Sequence, residues 1–235
     1  MKSLRIIYMG TPAFAISPLQ QILESEHKVV AVITAPDRKS GRGKKLTPSP
    51  IKVFCEEHDL SVLQPPNLKD PALITQLREL APDVMVVVAF RMLPKEVWSI
   101  PPNGTFNLHA SLLPKYRGAA PVHWAIINGE QQTGVTTFFI NEQIDTGEII
   151  AQKSLFIGLD ENTGQLSNRL EKLGATITLE TLDLIATNRG NSSPQPNNNQ
   201  ASLAPKLTRE NTQLQWDQEG QRIERKVRGL SLIHI

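Results

Sequence analysis

The sequence predicts an α/β fold built on a doubly wound, mostly parallel sheet. Short apolar runs alternate with stretches of helical spacing through the first half of the chain, which is the pattern of strands joined by crossover helices. The run DVMVVVAF at 83–90 is apolar almost throughout, as suits a strand covered on both faces. With 40% apolar and 20% charged residues, the composition is that of an ordinary globular protein rather than a disordered or fibrous one.

Each element has its own signal. LRIIYMG at 4–10 is an apolar run closed by a glycine, and Phe14, Ile16, Leu19, Ile22 and Leu23 then recur as on one helix face. KVVAVIT at 28–34 is a second strand, Pro50 to His58 a short helix, and Pro71 to Leu80 a helix with Leu73, Ile74, Leu77 and Leu80 on one side. After the 83–90 strand, TFNLHAS at 105–111 ends in polar residues, and PVHWAIING at 121–129 reads as a helix stopped by Gly129. GVTTFFI at 134–140 and EIIAQKSLFI at 148–157 flank a polar turn and are expected to pair as a hairpin. From Thr163 to about Thr187 the spacing of Leu166, Leu170, Leu173, Ile177 and Leu184 gives one long amphipathic helix.

These elements make one domain over 1–187. Residues 188–205 are polar and rich in Pro and Asn, so they are expected to be a linker with nothing to bury. Residues 206–235 are too short to fold alone and are expected to be loosely held.

Several functional classes drop out. No apolar run reaches the roughly 18 residues of a membrane span, and the N-terminus lacks a signal-peptide pattern, so a cytoplasmic protein with no membrane partner is expected. The single Cys55 cannot form an internal disulfide, no Cys/His cluster has zinc spacing, and no metal is expected. The turn Gly10-Thr11-Pro12 has one glycine where the dinucleotide fingerprint needs three. Net charge is only +2, but Ala35 to Lys52 holds Arg38, Lys39, Arg42, Lys44, Lys45 and Lys52 against Asp37 alone. Such a loop reads as an anion contact; a solvated basic face is the plainer alternative.

In open parallel sheets ligands bind beyond the carboxyl ends of the strands. Asn107 and His109 lie two apart, so in a strand their side chains leave one face and can converge. Asp145 sits 36 residues further on in a turn. Amide, imidazole and carboxylate together can stabilise an oxyanion and move protons. From spacing alone a second reading stands beside this one, in which buried polar groups are paired for structural reasons. His27, His58 and His123 have no ligand-spaced partner and are read as structural or surface residues, and Trp98 and Trp124 as core or pocket walls.

FNLHASLLPKYRGAAP at 106–121 resembles the signature of folate-dependent formyltransferases, and IDTGEII at 144–150 resembles the segment that carries that family's aspartate. MGTPAFA, APDRKSGRGKKLTPSPIK and VVVAF are similar to the members that act on methionyl-tRNA, and the likeness runs from residue 4 to about 230. The resemblance implies a Rossmann-like domain with Asn107, His109 and Asp145 as the catalytic group and Ser111, Leu112, Leu113 and Pro114 lining a reduced-folate site. It implies formyl transfer from 10-formyltetrahydrofolate to initiator methionyl-tRNA for translation initiation, by a monomer. It also implies that Arg42, Lys44 and Lys45 contact the tRNA, and that 206–235 opens an incomplete C-terminal β-barrel domain. Gly41 and Gly43 suit a loop that orders on folded RNA.

Two stretches depart from the family pattern: Arg91-Met92, where a glycine and an apolar residue usually stand, and the ending RGLSLIHI, which breaks away after Ser231. The rivals are glycinamide ribonucleotide transformylase, a formyltetrahydrofolate hydrolase, a sugar-amine formyltransferase, and an RNA-binding module that keeps only the fold. Glycinamide ribonucleotide transformylase leaves the basic loop unexplained.

Overall fold

The computed structural model describes residues 2–40, 45–188, 191–196 and 198–231. Seven strands form one sheet: β1 (Arg5–Gly10), β2 (Lys28–Ile33), β5 (Val62–Leu63), β6 (Val84–Val88), β7 (Thr105–His109), β9 (Gln132–Phe139) and β10 (Ile149–Phe156). Their order is β10-β9-β7-β6-β1-β2-β5. The five from β5 to β7 are parallel, and β9 runs antiparallel to both β7 and β10. The expected doubly wound, mostly parallel sheet and its terminal hairpin are therefore present.

Alternation along β1 explains how both faces are covered. Ile6 and Tyr8 pack with Val86, Phe106 and Leu108 beneath α1 (Ile16–Leu23) and α6 (Thr163–Ala186). Ile7 and Met9 pack on the other side with Met85 and Val87 beneath α3 (Pro71–Glu79) and α4 (Lys95–Trp98). All five residues of β6 are buried, in agreement with its apolar run. Helix starts follow local chemistry. The Ser49 hydroxyl accepts from Lys52 N–H at 3.1 Å ahead of Pro50, opening α2 (Pro50–Glu57), and the Asp70 carboxylate accepts from Ala72 N–H at 3.0 Å ahead of Pro71. Asn162 and Gln165 form a reciprocal capping box at the head of the 24-residue α6.

The 12–24 stretch is less regular than expected, with a 3₁₀ turn at Ala13–Ala15 before α1. Within the basic segment, β3 (Arg38–Ser40) and β4 (Lys45–Thr47) pair antiparallel, so its described parts form a ribbon rather than an irregular loop.

The larger difference lies after residue 187, where polar composition concealed backbone pairing. Ser193 and Ile149 exchange backbone hydrogen bonds of 2.8 and 2.9 Å. β11 (Leu203–Ala204) lies parallel to β8 (Arg117–Gly118), and Ala204 is fully buried. Further on, α8 (Gly220–Gly229) packs on α5 (Pro121–Ile127). His123 Nδ1 lies 2.6 Å from the Gly229 carbonyl, the Thr163 hydroxyl donates to the same carbonyl at 2.7 Å, and Leu230 is fully buried. The expectation of a loosely held tail is corrected: buried Leu230 and the hydrogen bonds to the Gly229 carbonyl seat it against α5 and the head of α6. After Ala204 the described residues form two helices, α7 (Arg209–Thr212) and α8, and no strand.

No helix among the described residues is long and apolar enough to cross a membrane.

Candidate active site

The strand order runs outward from β1 in both directions, so the crevice at the switch point opens beyond Gly10 and Val88. β7 lies next to β6 and sends Asn107 and His109 off one face, while Phe106 and Leu108 enter the core under α6. The period-two reading of this strand is thus realised.

His109 is buried. Its Nε2 lies 2.8 Å from the Tyr116 carbonyl, and its Nδ1 is 3.8 Å from Asp145 Oδ2, beyond hydrogen-bond length. The imidazole therefore has one nitrogen fixed and one edge open toward the carboxylate. Asn107 is half-buried, and its carboxamide has no hydrogen-bond partner among the described residues. A polar group left unpaired at a crevice can serve a bound molecule.

Asp145 sits on the β9–β10 turn with φ +52°, in the left-handed region. Its Oδ2 accepts the Gly118 N–H at 2.8 Å. Gly118 itself has φ +122°, and a Cβ there would come within 2.7 Å of the Ala204 carbonyl oxygen. At Gly147 a Cβ would fall 1.6 Å from the Phe139 oxygen, which is why the turn carries glycine two residues after the aspartate. Ala89 (+48°), Tyr116 (+60°) and Asp145 bring three left-handed non-glycine residues to this end of the sheet. Strained backbone of this kind concentrates at functional sites.

The 111–114 segment forms an adjoining wall through a polar scaffold. Thr136 Oγ1 donates to the Ser111 carbonyl at 2.6 Å and accepts from Leu113 N–H at 3.1 Å and from Gln152 Nε2 at 2.9 Å. Gln152 Nε2 also donates to the Leu113 carbonyl at 2.8 Å, next to a cis Leu113–Pro114 peptide. Ser111, Leu113 and Pro114 are buried and Leu112 is half-buried. The Ser111 hydroxyl is already engaged, donating to the Lys115 carbonyl at 2.6 Å. Tyr116 donates its hydroxyl to Glu130 at 2.8 Å, and burial together with that carboxylate pushes the phenol up to about 12.

Sequence reasoning missed the residues that hold this arrangement, namely Thr136, Gln152, Ser202 and Gln195. Ser202 Oγ accepts the Tyr116 N–H at 2.9 Å. Gln195 Nε2 donates to the carbonyls of Asp145 and Gly147, both at 2.9 Å. Thr136 had a signal, a polar residue inside the apolar run GVTTFFI, and it stands opposite His109 in the β7–β9 ladder; Gln195 had none.

Arg91, the departure from the family pattern, is engaged by the segment that follows β5. Its guanidinium donates to the Pro66 carbonyl at 3.1 Å and to that of Pro65. Of the basic segment, Arg42 and Lys44 lie outside the described residues, and Lys45 is exposed at the start of β4. Lys52 pairs with Asp37 at 2.7 Å, and hydrogen bonds from Gln64 and Lys52 hold the Asp37 carboxyl below its usual range. Those two charges largely cancel, so Lys52 leaves the set of cations available to a ligand. Among the described residues no group of three or more His, Cys, Asp or Glu could hold a metal ion.

Residues 2–182 match the protein family described as Formyl transferase. The methionyl-tRNA formyltransferase of Flavobacterium johnsoniae is 49% identical over 231 residues, covering 98% of this chain and 73% of that protein. The methionyl-tRNA formyltransferase of Bacteroides fragilis is 47% identical over 233 residues, covering 98% and 72%. Among solved structures, an N-formyltransferase from Helicobacter canadensis in complex with folinic acid and dTDP-3-aminofucose superposes with a TM-score of 0.74 over 97% of this chain and 80% of that one, at 22% identity. That likeness is one of fold.

Proposed function

From the premise that this chain belongs to the formyl transferase family and is similar along nearly its whole length to methionyl-tRNA formyltransferases, we propose that it moves the formyl group of 10-formyltetrahydrofolate to the amino group of initiator methionyl-tRNA. The observation that carries this reading is that Asn107, whose carboxamide has no partner among the described residues, leaves the same face of β7 as His109, whose open Nδ1 edge lies 3.8 Å from the Asp145 carboxylate. The relatives' identity over 98% of the chain supports the choice of amine.

In this proposal Asn107 and His109 donate hydrogen bonds to the formyl oxygen as negative charge builds on it during attack by the amine. Asp145, 3.8 Å from Nδ1, steadies the imidazolium and takes part in proton movement. The new N–C bond forms as the C–N bond to the folate nitrogen breaks; one proton leaves the amine and one arrives on the departing nitrogen. Among the described residues, the Asn107 amide without a protein partner is the donor that fits the formyl oxygen. The wall from Ser111 to Pro114 lines the folate site, chiefly through Leu112 and through the backbone that Thr136 and Gln152 hold. Arg42, Lys44 and Lys45 contact tRNA phosphates, and residues 206–229 belong to a tRNA-binding part that begins after the 1–187 catalytic domain.

Formyl transfer to methionyl-tRNA, to free glycinamide ribonucleotide and to water, measured side by side, tests the substrate. Transfer to methionyl-tRNA alone is expected. Asp145→Asn should lower turnover by about 10²–10⁴; a variant within threefold of the parent would remove Asp145 from the reaction.

A further inference from the structure

We infer that Gln195 is a positioning residue for the Asp145 carboxylate, and that the segment carrying it is a strap that completes the active site. The inference rests on Asp145 acting in formyl transfer, as proposed above.

A single carboxamide here meets three groups. Its two N–H bonds go to the carbonyls of Asp145 and Gly147, both at 2.9 Å. Its oxygen accepts from Arg117 Nη2 at 2.6 Å and Nε at 3.2 Å. Arg117 precedes Gly118, whose N–H donates to Asp145 Oδ2 at 2.8 Å. One side chain therefore ties the backbone of the turn that carries the carboxylate and, through the Arg117 guanidinium, the strand whose Gly118 N–H donates to it. Only an amide offers two donors and an acceptor in this fork; a carboxylate would set oxygen against oxygen at both carbonyls.

Gln195 is itself anchored on both sides along the chain. Ser193 pairs with Ile149, and the Ser192 hydroxyl donates to Glu148. The Arg117 N–H donates to the Ser202 carbonyl at 2.9 Å, and the N–H groups of Ala119 and Ala120 donate to the Ala204 carbonyl at 2.8 and 3.2 Å. The strap thus joins the β9–β10 turn to the 116–120 segment. A residue at φ +52° such as Asp145 keeps its conformation only where its surroundings over-determine it, and Gln195 supplies two of those constraints.

The test is a double-mutant cycle on the full chain, using Gln195→Ala and the isosteric Gln195→Glu, each in the parent and in Asp145→Asn. Misplacing a catalytic group by about 1 Å can cost on the order of 10²-fold. In the parent, kcat should fall about tenfold or more, with KM for folate and for methionyl-tRNA within about twofold. In the Asp145→Asn background the same change should cost less than about twofold, because the group being positioned is already lost. Hydrogen exchange at the Gly118 amide, whose acceptor is Asp145, should speed up in both Gln195 variants. An equal cost in both backgrounds, or unchanged exchange at Gly118, overturns the inference. If Asp145→Asn keeps the parent rate, the catalytic reading of Asp145 fails instead, and the Gly118 exchange alone decides whether Gln195 holds the turn.

Discussion

Asn107 and His109 stand on a central strand, whereas Asp145 stands on a turn, and the two are held by different forces. β7 is laddered to β6 on one side and β9 on the other, with Phe106 and Leu108 sunk in the core. Its two polar side chains inherit their direction from a backbone that cannot rotate. Asp145 has no such ladder; its turn, with φ +52°, is held by the Gly118 N–H and by two hydrogen bonds from Gln195, and Gly147 permits its close approach to Phe139. Strand-borne groups are fixed by burial, while a turn-borne group depends on distant side chains and on glycines that permit close approach. The second arrangement fails more easily.

The comparison breaks most sharply at Asn107. Its carboxamide has no protein partner among the described residues, so Asn107→Ala should leave the melting temperature within a few degrees while kcat falls about 10²–10³. A loss of stability with activity retained would make it a structural residue. Gly118→Ala should behave in the opposite way on the turn side. A Cβ at φ +122°, within 2.7 Å of the Ala204 oxygen, costs about 1–3 kcal/mol and shifts the N–H that Asp145 accepts. Denaturant midpoint and kcat should fall together, and an unchanged midpoint would mean that β8 and β11 part easily.

A smaller effect is expected at Thr136→Val. This change keeps the shape but leaves the Leu113 N–H without an acceptor and the Gln152 amide with the Leu113 carbonyl alone, at about 1–3 kcal/mol before any rearrangement. It should raise KM for the folate more than it lowers kcat; the reverse split would take the 111–114 wall out of the folate site. Smallest, and confined to one substrate, is neutralisation of Arg42, Lys44 and Lys45 to Ala. KM for the tRNA should rise and its salt dependence flatten, by close to one unit in the log–log slope for each phosphate no longer neutralised, with the folate unaffected. An unchanged slope returns the ribbon to a solvated basic surface.

What could be read in advance follows the same division. The parallel sheet, its terminal hairpin and the shared face of Asn107 and His109 on β7 were legible because burial imposes a period of two on strands and 3.6 on helices. Asp145 was legible only through its resemblance to a known segment, since a turn has no period. Gln195 was not legible at all. It lies in a run of Ser, Pro and Asn without apolar spacing, and its partners are 48, 50 and 78 residues away. Polar pairing at such separations leaves no local trace. The same blindness explains the C-terminal segment, where Leu230 and three hydrogen bonds dock a tail whose composition reads as solvated.

The distance along the chain between Asp145 and the amide that braces it also orders events in time. A polypeptide emerging from a ribosome folds from its beginning, and every strand of the large sheet precedes residue 157. A nascent chain can therefore emit every strand of its sheet, His109 included, about forty residues before the brace for Asp145 has been made. Competence would then come after the sheet rather than with it, and a chain stalled within the strap would hold all seven strands around an uncommitted carboxylate.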